Sequence, residues 1–176
     1  MQANLINADE LETLLQSQAV IVCDCRFSLN DPDAGRAAFE GSHIPGARYV
    51  DLERDLSGQI TSSTGRHPLP AVDDWIDRAA LLGLTGGQKI VVYDHGPGVF
   101  AARLWWMLGW IGISDVWLLD GGFATWSKSG KSTISGEEPV ELPSSNLTSL
   151  KEVNDLKADA DEILKSLGGG VLSIVD

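Results

Sequence analysis

The sequence predicts an α/β domain in which helices alternate with the strands of a parallel sheet. Two short apolar runs, at 19–23 and 90–93, lack polar alternation, which is typical of central parallel strands covered on both faces. Each run is followed at once by an aspartate, Asp24 or Asp94, and segments with helical apolar spacing lie between the runs. Strand and helix therefore alternate along the chain, which favours a doubly wound α/β architecture.

The composition indicates one acidic domain with a full hydrophobic core. The 176 residues include 13 Lys and Arg against 25 Asp and Glu, a formal net charge of -12. Such a charge repels phosphate backbones and anionic lipid surfaces, so we expect neither nucleic acid nor membrane as a partner. The first ten residues contain no basic and apolar leader, and no run approaches the length of a membrane span, so we expect a cytoplasmic protein.

The first strand ends in Asp24-Cys25-Arg26, and the chain's two cysteines, Cys23 and Cys25, lie there. A disulfide between positions two apart would be badly strained, and no second pair completes a zinc site. We therefore predict two buried, reduced thiols. Asp24 and Arg26 are interpreted as a pair that supports the rim of a cavity, with Arg26 as an alternative contact for an anionic ligand.

The segments between the two main strands combine helix, turn and loop signals. Asn7 can cap a helix through Leu15, whereas 28–41 is polar and predicts a loop with one helical turn at 36–39. His43, beside a Pro-Gly turn, is interpreted as a hydrogen-bonded brace, and 48–50 as a short strand that ends at Asp51.

Residues 55–70 form a segment too long for an idle connection, and such loops are often functional. Arg66 and His67 place a cation and a titratable imidazole in it. These two side chains either reach a cleft or are simply solvated, and the residues alone leave both interpretations open. A helix is predicted at 72–82, with Gly83 beyond its end.

The stretch from Lys89 to Leu108 reads as a buried strand, a glycine-containing loop and a helix. Backbone N-H groups of such a loop and helix start line a small cavity that favours anions. An enzyme would place a thiolate nucleophile at the strand end, but this chain has Asp94 there. A carboxylate that acts as a nucleophile usually has metal-binding or phosphate-binding residues beside it, and the neighbouring sequence offers none. We interpret Asp94 as structural. The loop that follows is His95, Gly96, Pro97, Gly98 and Val99, and Arg103 on the helix is expected to contact Asp94 or loop carbonyls.

The last part of the chain predicts one more strand and helix and then a repeat. Residues 114–119 read as a strand, and Asp120-Gly121-Gly122 then turns the chain into a helix that carries Phe123 and Trp126, followed by a linker rich in Ser, Gly and Pro. Residues 150–167 then read as a helix and 171–175 as a strand before Asp176, which repeats the helix, strand and aspartate of 8–24. We therefore divide the chain into a domain at 1–135, a linker at 136–149 and the start of a second domain at 150–176.

Four motifs together resemble the rhodanese domain. They are DCR at 24–26, HIPGA at 43–47, VVYD at 91–94 followed by FAARLWWML, and LDGGFATW at 119–126. The resemblance implies a five-stranded parallel sheet with helices on both faces. Two further features are similar to the tandem thiosulfate and 3-mercaptopyruvate sulfurtransferases. They are GRHPLP at 65–70 and the apparent start of a second domain at 150–176.

This resemblance implies a noncatalytic first half. In the tandem enzymes the persulfide-carrying cysteine opens the active loop of the second domain, and Asp94 occupies the matching position here. The family also places an Asp and a His of the first domain near the reacting sulfur, and these match Asp51 and His67. The implied partners are thiosulfate or 3-mercaptopyruvate and a second rhodanese domain in cis, with no metal or organic cofactor. The isolated chain is expected to be inactive.

Three other interpretations compete with this one. A stand-alone inactive rhodanese module could bind a protein or a small anion in a regulatory role. A phosphatase-like relative is disfavoured because its loop needs both a Cys nucleophile and a closing Arg. Cys25 as a substitute sulfur carrier is disfavoured because its strand end lacks an amide-lined loop to stabilise a thiolate.

Overall fold

Five parallel strands form the central sheet of this computed structural model, which describes residues 4–136 and 150–167. The strands are β1 (Asn4–Ile6), β2 (Val20–Asp24), β3 (Ala47–Tyr49), β4 (Lys89–Tyr93) and β5 (Val116–Leu119). Their order in the sheet is β1-β5-β4-β2-β3. The two predicted apolar strands, β2 and β4, are therefore adjacent, and their terminal residues Asp24 and Tyr93 lie side by side.

Helices cover both faces of the sheet, as the resemblance implied. They are α1 (Ala8–Gln16), α2 (Ala34–Gly41), α3 (Val72–Leu81), α4 (Val99–Trp110) and α5 (Gly122–Lys128). A further helix, α6 (Ala160–Ser166), has no buried residue. Alternate residues of β4 enter two separate cores, because successive side chains of a strand point to opposite faces. Ile90 and Val92 pack with residues of α3 and α4, whereas Val91 and Tyr93 pack with residues of α1, α2 and α5.

Local signals explain where several helices begin and end. Asn7 caps α1 by accepting from the Asp9 and Glu10 amides, and Glu10 returns a bond to the Asn7 amide, which completes a capping box. The predicted helix at 72–82 is confirmed as α3, and Gly83 follows it with a φ of 71°.

Two elements differ from the sequence prediction. Residues 34–41 form the full helix α2 rather than one turn, because Phe39 is buried and gives the helix an apolar face. Gly35 allows its close approach, since a Cβ there would collide with the carbonyl oxygen of Arg26. Strand β1, at one edge of the sheet, was not predicted, because three residues carry no detectable alternation.

The predicted helix at 150–167 is wrong over most of its length. Residues 150–153 run extended along the end of α4, where the Val153 amide donates to Trp110 O at 2.8 Å. A 3-10 turn follows at Asn154–Leu156, and α6 covers only Ala160–Ser166. The predicted strand at 171–175 lies outside the described residues, as does the predicted linker except for Gly136.

Among residues 4–136 and 150–167, no helix is long and apolar enough to cross a membrane. The same residues contain no cluster of three or more His, Cys, Asp and Glu side chains arranged to hold a metal ion.

Candidate functional site

The Asp94 carboxylate fills the cradle formed by the loop after β4 and the first turn of α4. Its Oδ1 accepts from the amides of Gly96 at 2.9 Å and Gly98 at 3.0 Å. Its Oδ2 accepts from the amides of Phe100 at 3.0 Å and Ala101 at 3.4 Å. Asp94 is only 1% exposed. The predicted anion-binding loop is present, and the anion it binds is the side chain of its own first residue.

The backbone conformation of this loop is fixed from both sides. Gly98, at the start of α4, has a φ of 81°, a conformation that side chains rarely adopt. Gly122 packs against the other side of the loop, where a Cβ would lie 2.6 Å from Asp94 O. The Phe123 amide donates to that same oxygen at 2.9 Å. His95, Pro97 and Val99 remain exposed, so the loop presents side chains to solvent while its amides point inward.

Arg26 is engaged by the protein rather than available to a ligand. Its guanidinium bonds both carboxylate oxygens of Asp24, with Nη2 to Oδ2 at 2.6 Å, and Nη2 also donates to Ser42 O at 2.7 Å. The group lies 4.1 Å from the centre of the Phe123 ring, and Arg26 is 5% exposed. Tyr93 completes the cluster by donating its hydroxyl to Asp24 at 2.8 Å. The structural interpretation of the Asp24–Arg26 pair is confirmed.

Cys23 and Cys25 are free and buried, as predicted. Burial raises the pKa of the Cys23 thiol to about 12 and raises that of Cys25 well above its ordinary value. The negative charges of Asp24 and Asp94 raise the Cys25 pKa further. A thiolate is the reactive form of cysteine, so the environment of both thiols disfavours nucleophilic chemistry.

The 55–70 segment folds back so that His67 contacts residues that follow β2 and β3. His67 Nε2 lies 3.4 Å from Glu53 Oε1, and its ring packs edge-on against Phe27 at 6.1 Å between centroids. Phe27 in turn contacts Phe100 of α4 at 5.6 Å. Arg66 donates to Leu29 O at 2.9 Å. His67 is therefore held in a small polar and aromatic environment rather than freely solvated.

Arg103 binds carbonyls of the 55–70 segment, not Asp94 or the carbonyls of the loop after β4, so both partners expected from the sequence are wrong. Its Nη2 donates to Leu56 O at 2.7 Å, His67 O at 3.1 Å and Pro68 O at 3.3 Å, and its Nε donates to Leu56 O at 3.1 Å. Burial lowers the pKa of this guanidinium from its ordinary value, although an arginine remains charged throughout the physiological range. Asp94 is satisfied by backbone amides instead.

The comparisons with known proteins agree with this geometry. The profile of the family described as "Rhodanese-like domain" matches residues 7–129. This chain belongs to the rhodanese-like domain family. It is 45% identical over 140 residues to a probable 3-mercaptopyruvate sulfurtransferase of Pseudomonas aeruginosa, covering 78% of this chain and 49% of the relative. It is 33% identical over 138 residues to thiosulfate/3-mercaptopyruvate sulfurtransferase 1, mitochondrial, of Arabidopsis thaliana, covering 76% of this chain and 35% of the relative.

A solved structure extends the likeness to the whole fold. The crystal structure of SseA from Escherichia coli, described with the 3-mercaptopyruvate sulfotransferases, superposes with a TM-score of 0.81 at 27% identity. The match covers 94% of this rhodanese-like domain chain and 62% of the SseA chain. The chain thus spans about half the length of the curated relatives it matches.

Within this rhodanese-like domain, the Asp51 side chain holds the backbone of the turn that follows β3. Asp51 is 5% exposed, and its Oδ1 accepts from the amides of Glu53 at 2.8 Å and Arg54 at 2.9 Å. The acidic group that reaches His67 is Glu53, which the sequence reasoning missed. A carboxylate two residues after Asp51 was the available signal, but only the folded loop shows which acid meets the imidazole.

His43 of the rhodanese-like domain lies inside the fold, away from any cleft. Its Nδ1 is 2.7 Å from Phe39 O, and its ring stacks on Phe39 at 3.9 Å. The predicted brace is therefore confirmed for one nitrogen. The other, Nε2, is buried without a hydrogen-bond partner in the described part of the chain.

Proposed function

We propose that this chain is the first, noncatalytic domain of a sulfurtransferase. The enzyme would move sulfane sulfur from thiosulfate or 3-mercaptopyruvate to a thiophilic acceptor such as cyanide, without a metal or organic cofactor. The observation that carries the proposal is the Asp94 carboxylate bound by four loop amides, because it occupies the place where an active loop would stabilise a thiolate or persulfide.

The chemistry of sulfur transfer favours a nucleophile that lies outside this domain. A persulfide forms when a cysteine thiolate attacks the donor sulfur and the donor's own S–S or C–S bond breaks, which releases sulfite from thiosulfate or, after protonation, pyruvate from 3-mercaptopyruvate. The cysteine must therefore be both accessible and deprotonated. Cys23 and Cys25 are buried, and their raised pKa values favour the neutral thiol. The proposal therefore assigns the reacting thiol to a second rhodanese domain in cis.

The length of the relatives is consistent with such a second domain. The Pseudomonas protein, named a probable 3-mercaptopyruvate sulfurtransferase, has about half of its length outside the match. In the proposed tandem arrangement, His67 and Glu53 face the second domain across the shared site. Asp51 then contributes by holding the loop that carries Glu53.

A chimera tests this proposal. The matched 140 residues of the Pseudomonas relative are replaced by the matching part of this chain, and thiocyanate formation from cyanide is measured with each of the two donors. We expect turnover in the chimera and none above a buffer blank in the isolated chain. A second chimera with Cys23→Ala and Cys25→Ala should keep its turnover, because those thiols are assigned no chemistry.

Two results would contradict the proposal. One is turnover by the isolated chain at a rate comparable to that of the chimera. The other is an inactive chimera whose two halves are both folded, since that outcome favours the stand-alone regulatory module that binds a protein or small anion.

A further inference from the structure

Arg103 joins the two ends of the 55–70 loop. Leu56, at one end, is 1% exposed and packs in the core. Its carbonyl oxygen accepts hydrogen bonds from both Nε and Nη2 of Arg103. His67 and Pro68, at the other end, present their carbonyls to the same Nη2. One planar guanidinium thus fixes three backbone oxygens, a task that the fork of donors on arginine suits and a lysine ammonium does not.

Besides Arg103, the Arg66 guanidinium, which donates to Leu29 O at 2.9 Å, and one backbone hydrogen bond hold this end of the loop. The Gly58 amide donates to Pro68 O at 2.9 Å, which closes the base beside Arg103. Residues 59–66 between the two ends are exposed, and Thr61 and Thr64 bond mainly to each other. The backbone position of His67 therefore depends on the bonds made at the base.

Helix α4 also supports the His67 side chain. Phe100, one turn before Arg103, contacts Phe27, and Phe27 contacts the His67 ring. The Phe100 amide is bound by Asp94, so the helix start that carries both supports is itself fixed by the Asp94 carboxylate. The inward-facing loop after β4 and the partly buried His67 imidazole are thereby connected through one helix.

We propose that Arg103 is a positioning residue for His67, which sets where the imidazole lies at the candidate site by binding the carbonyls of Leu56, His67 and Pro68. The role in sulfur transfer rests on the proposed function. The positioning itself is a property of this chain and is measurable without any turnover.

The test is the NMR spectrum of the histidine rings. The chain contains three histidines, so the ring signals of His67 can be assigned by single substitutions. The Phe27 ring lies close enough to displace the His67 signals from those of a free imidazole. In Arg103→Met we expect that displacement to be lost, while the signals of the buried His43 stay in place and report an intact fold.

Arg78→Met is the matched control. It removes an arginine from α3 whose contact with the same loop is a 3.8 Å ion pair to Asp55, and it should leave the His67 signals unchanged. If Arg103→Met also shifts the His43 signals, the fold has been disturbed, and Arg103→Lys becomes the deciding variant. Lysine keeps the charge but cannot bind all three carbonyls. In Arg103→Lys the His67 ring signals should shift, and the His43 ring signals should stay in place.

Unchanged His67 signals in a folded Arg103→Met, or in Arg103→Lys when the methionine variant does not fold, overturn the positioning role. That result leaves the proposed sulfur transfer untouched. Conversely, an inactive chimera leaves the Arg103 result standing, so the two proposals fail separately.

Discussion

The Asp94 carboxylate lies 3.0 Å from the Gly98 amide, and Gly98 reaches that position only through its left-handed backbone conformation. A loop shaped to bind an anion therefore has one bound permanently, supplied by the residue at the end of β4. Under the proposed noncatalytic role, this carboxylate takes the place that a reacting sulfur would occupy in an active loop.

Removing this carboxylate should destabilise the domain. Asp94→Ala leaves the amides of Gly96, Gly98, Phe100 and Ala101 without their acceptor, and hydrogen bonds to a charged group contribute about 1.5–3 kcal/mol each. We expect the free energy of unfolding, measured by urea denaturation, to fall by at least about 3 kcal/mol. Asp120→Ala, at the exposed aspartate after β5, should change it by less than about 0.5 kcal/mol. Equal losses in the two variants would show that the four amide bonds carry no special stability.

The buried thiols should resist alkylation in the folded protein. With the Cys23 pKa raised to about 12 and that of Cys25 also raised, iodoacetamide at pH 8 should add nothing until guanidinium unfolds the chain. Two equivalents should then add, and Cys25→Ala should reduce this to one. Rapid modification of the folded chain would contradict the burial of both side chains.

The same shifts predict how stability depends on alkaline pH. Because the folded state binds the thiol protons more tightly than the unfolded state, this contribution is fully present below about pH 8.5, the ordinary pKa of cysteine. It is lost as the pH rises through the folded-state values, so the free energy of unfolding should decrease above about pH 8.5. The decrease should be smaller in the Cys23→Ala variant.

In the chimera, His67→Ala should lower turnover with 3-mercaptopyruvate more than turnover with thiosulfate. The expectation follows from the resemblance and from the position of His67 beside Glu53, where an imidazole can exchange a proton with a bound keto acid. Glu53→Gln should show the same donor preference to a smaller degree, because it leaves the imidazole in place. An equal loss for both donors would indicate structural damage, and an unchanged rate would remove His67 from the site.

The segment at 150–157 should be held to the domain by Trp110 and Glu152. Trp110 Nε1 donates to Glu152 Oε1 at 3.0 Å, and Lys157 Nζ contacts the same oxygen at 2.6 Å. The Lys157 and Trp110 bonds lower the pKa of Glu152, so they stabilise this contact above the ordinary carboxylate pKa and are lost as the pH falls through the folded value. Hydrogen exchange at the Val153 amide should accelerate in Trp110→Phe and at acid pH. Exchange that is unaffected by both changes would show that the segment is held by other contacts.

The sequence was sufficient for the elements whose local pattern matches their environment. Strand β4 is continuous and apolar because both its faces are buried, and Asp94 stands out because a charged residue ends that run. The 150–167 segment misled because Leu150, Val153 and Leu156 have helical spacing. In the fold, Leu150 packs against the core and the Val153 amide bonds to Trp110, and these tertiary contacts favour an extended chain.

The candidate site was less predictable than the fold. Asp94 and His67 could be selected from their positions in the chain, but Glu53 and Arg103 act through contacts with distant residues. Glu53 contacts His67 only after the long loop folds back. Arg103 binds backbone carbonyls, and no pattern of residues in the sequence predicts which carbonyls an arginine will reach. Such partners depend on how the loop closes rather than on local sequence.

The most direct test of the account is the intact mass of the isolated chain after incubation with thiosulfate or 3-mercaptopyruvate, with thiocyanate measured in parallel once cyanide is added. Because Asp94 fills the loop and both thiols are buried, we predict an unchanged mass and no thiocyanate above a buffer blank. A stable mass increase of one sulfur atom, with thiocyanate formation that disappears in Cys25→Ser, would contradict the noncatalytic role and identify Cys25 as a sulfur carrier.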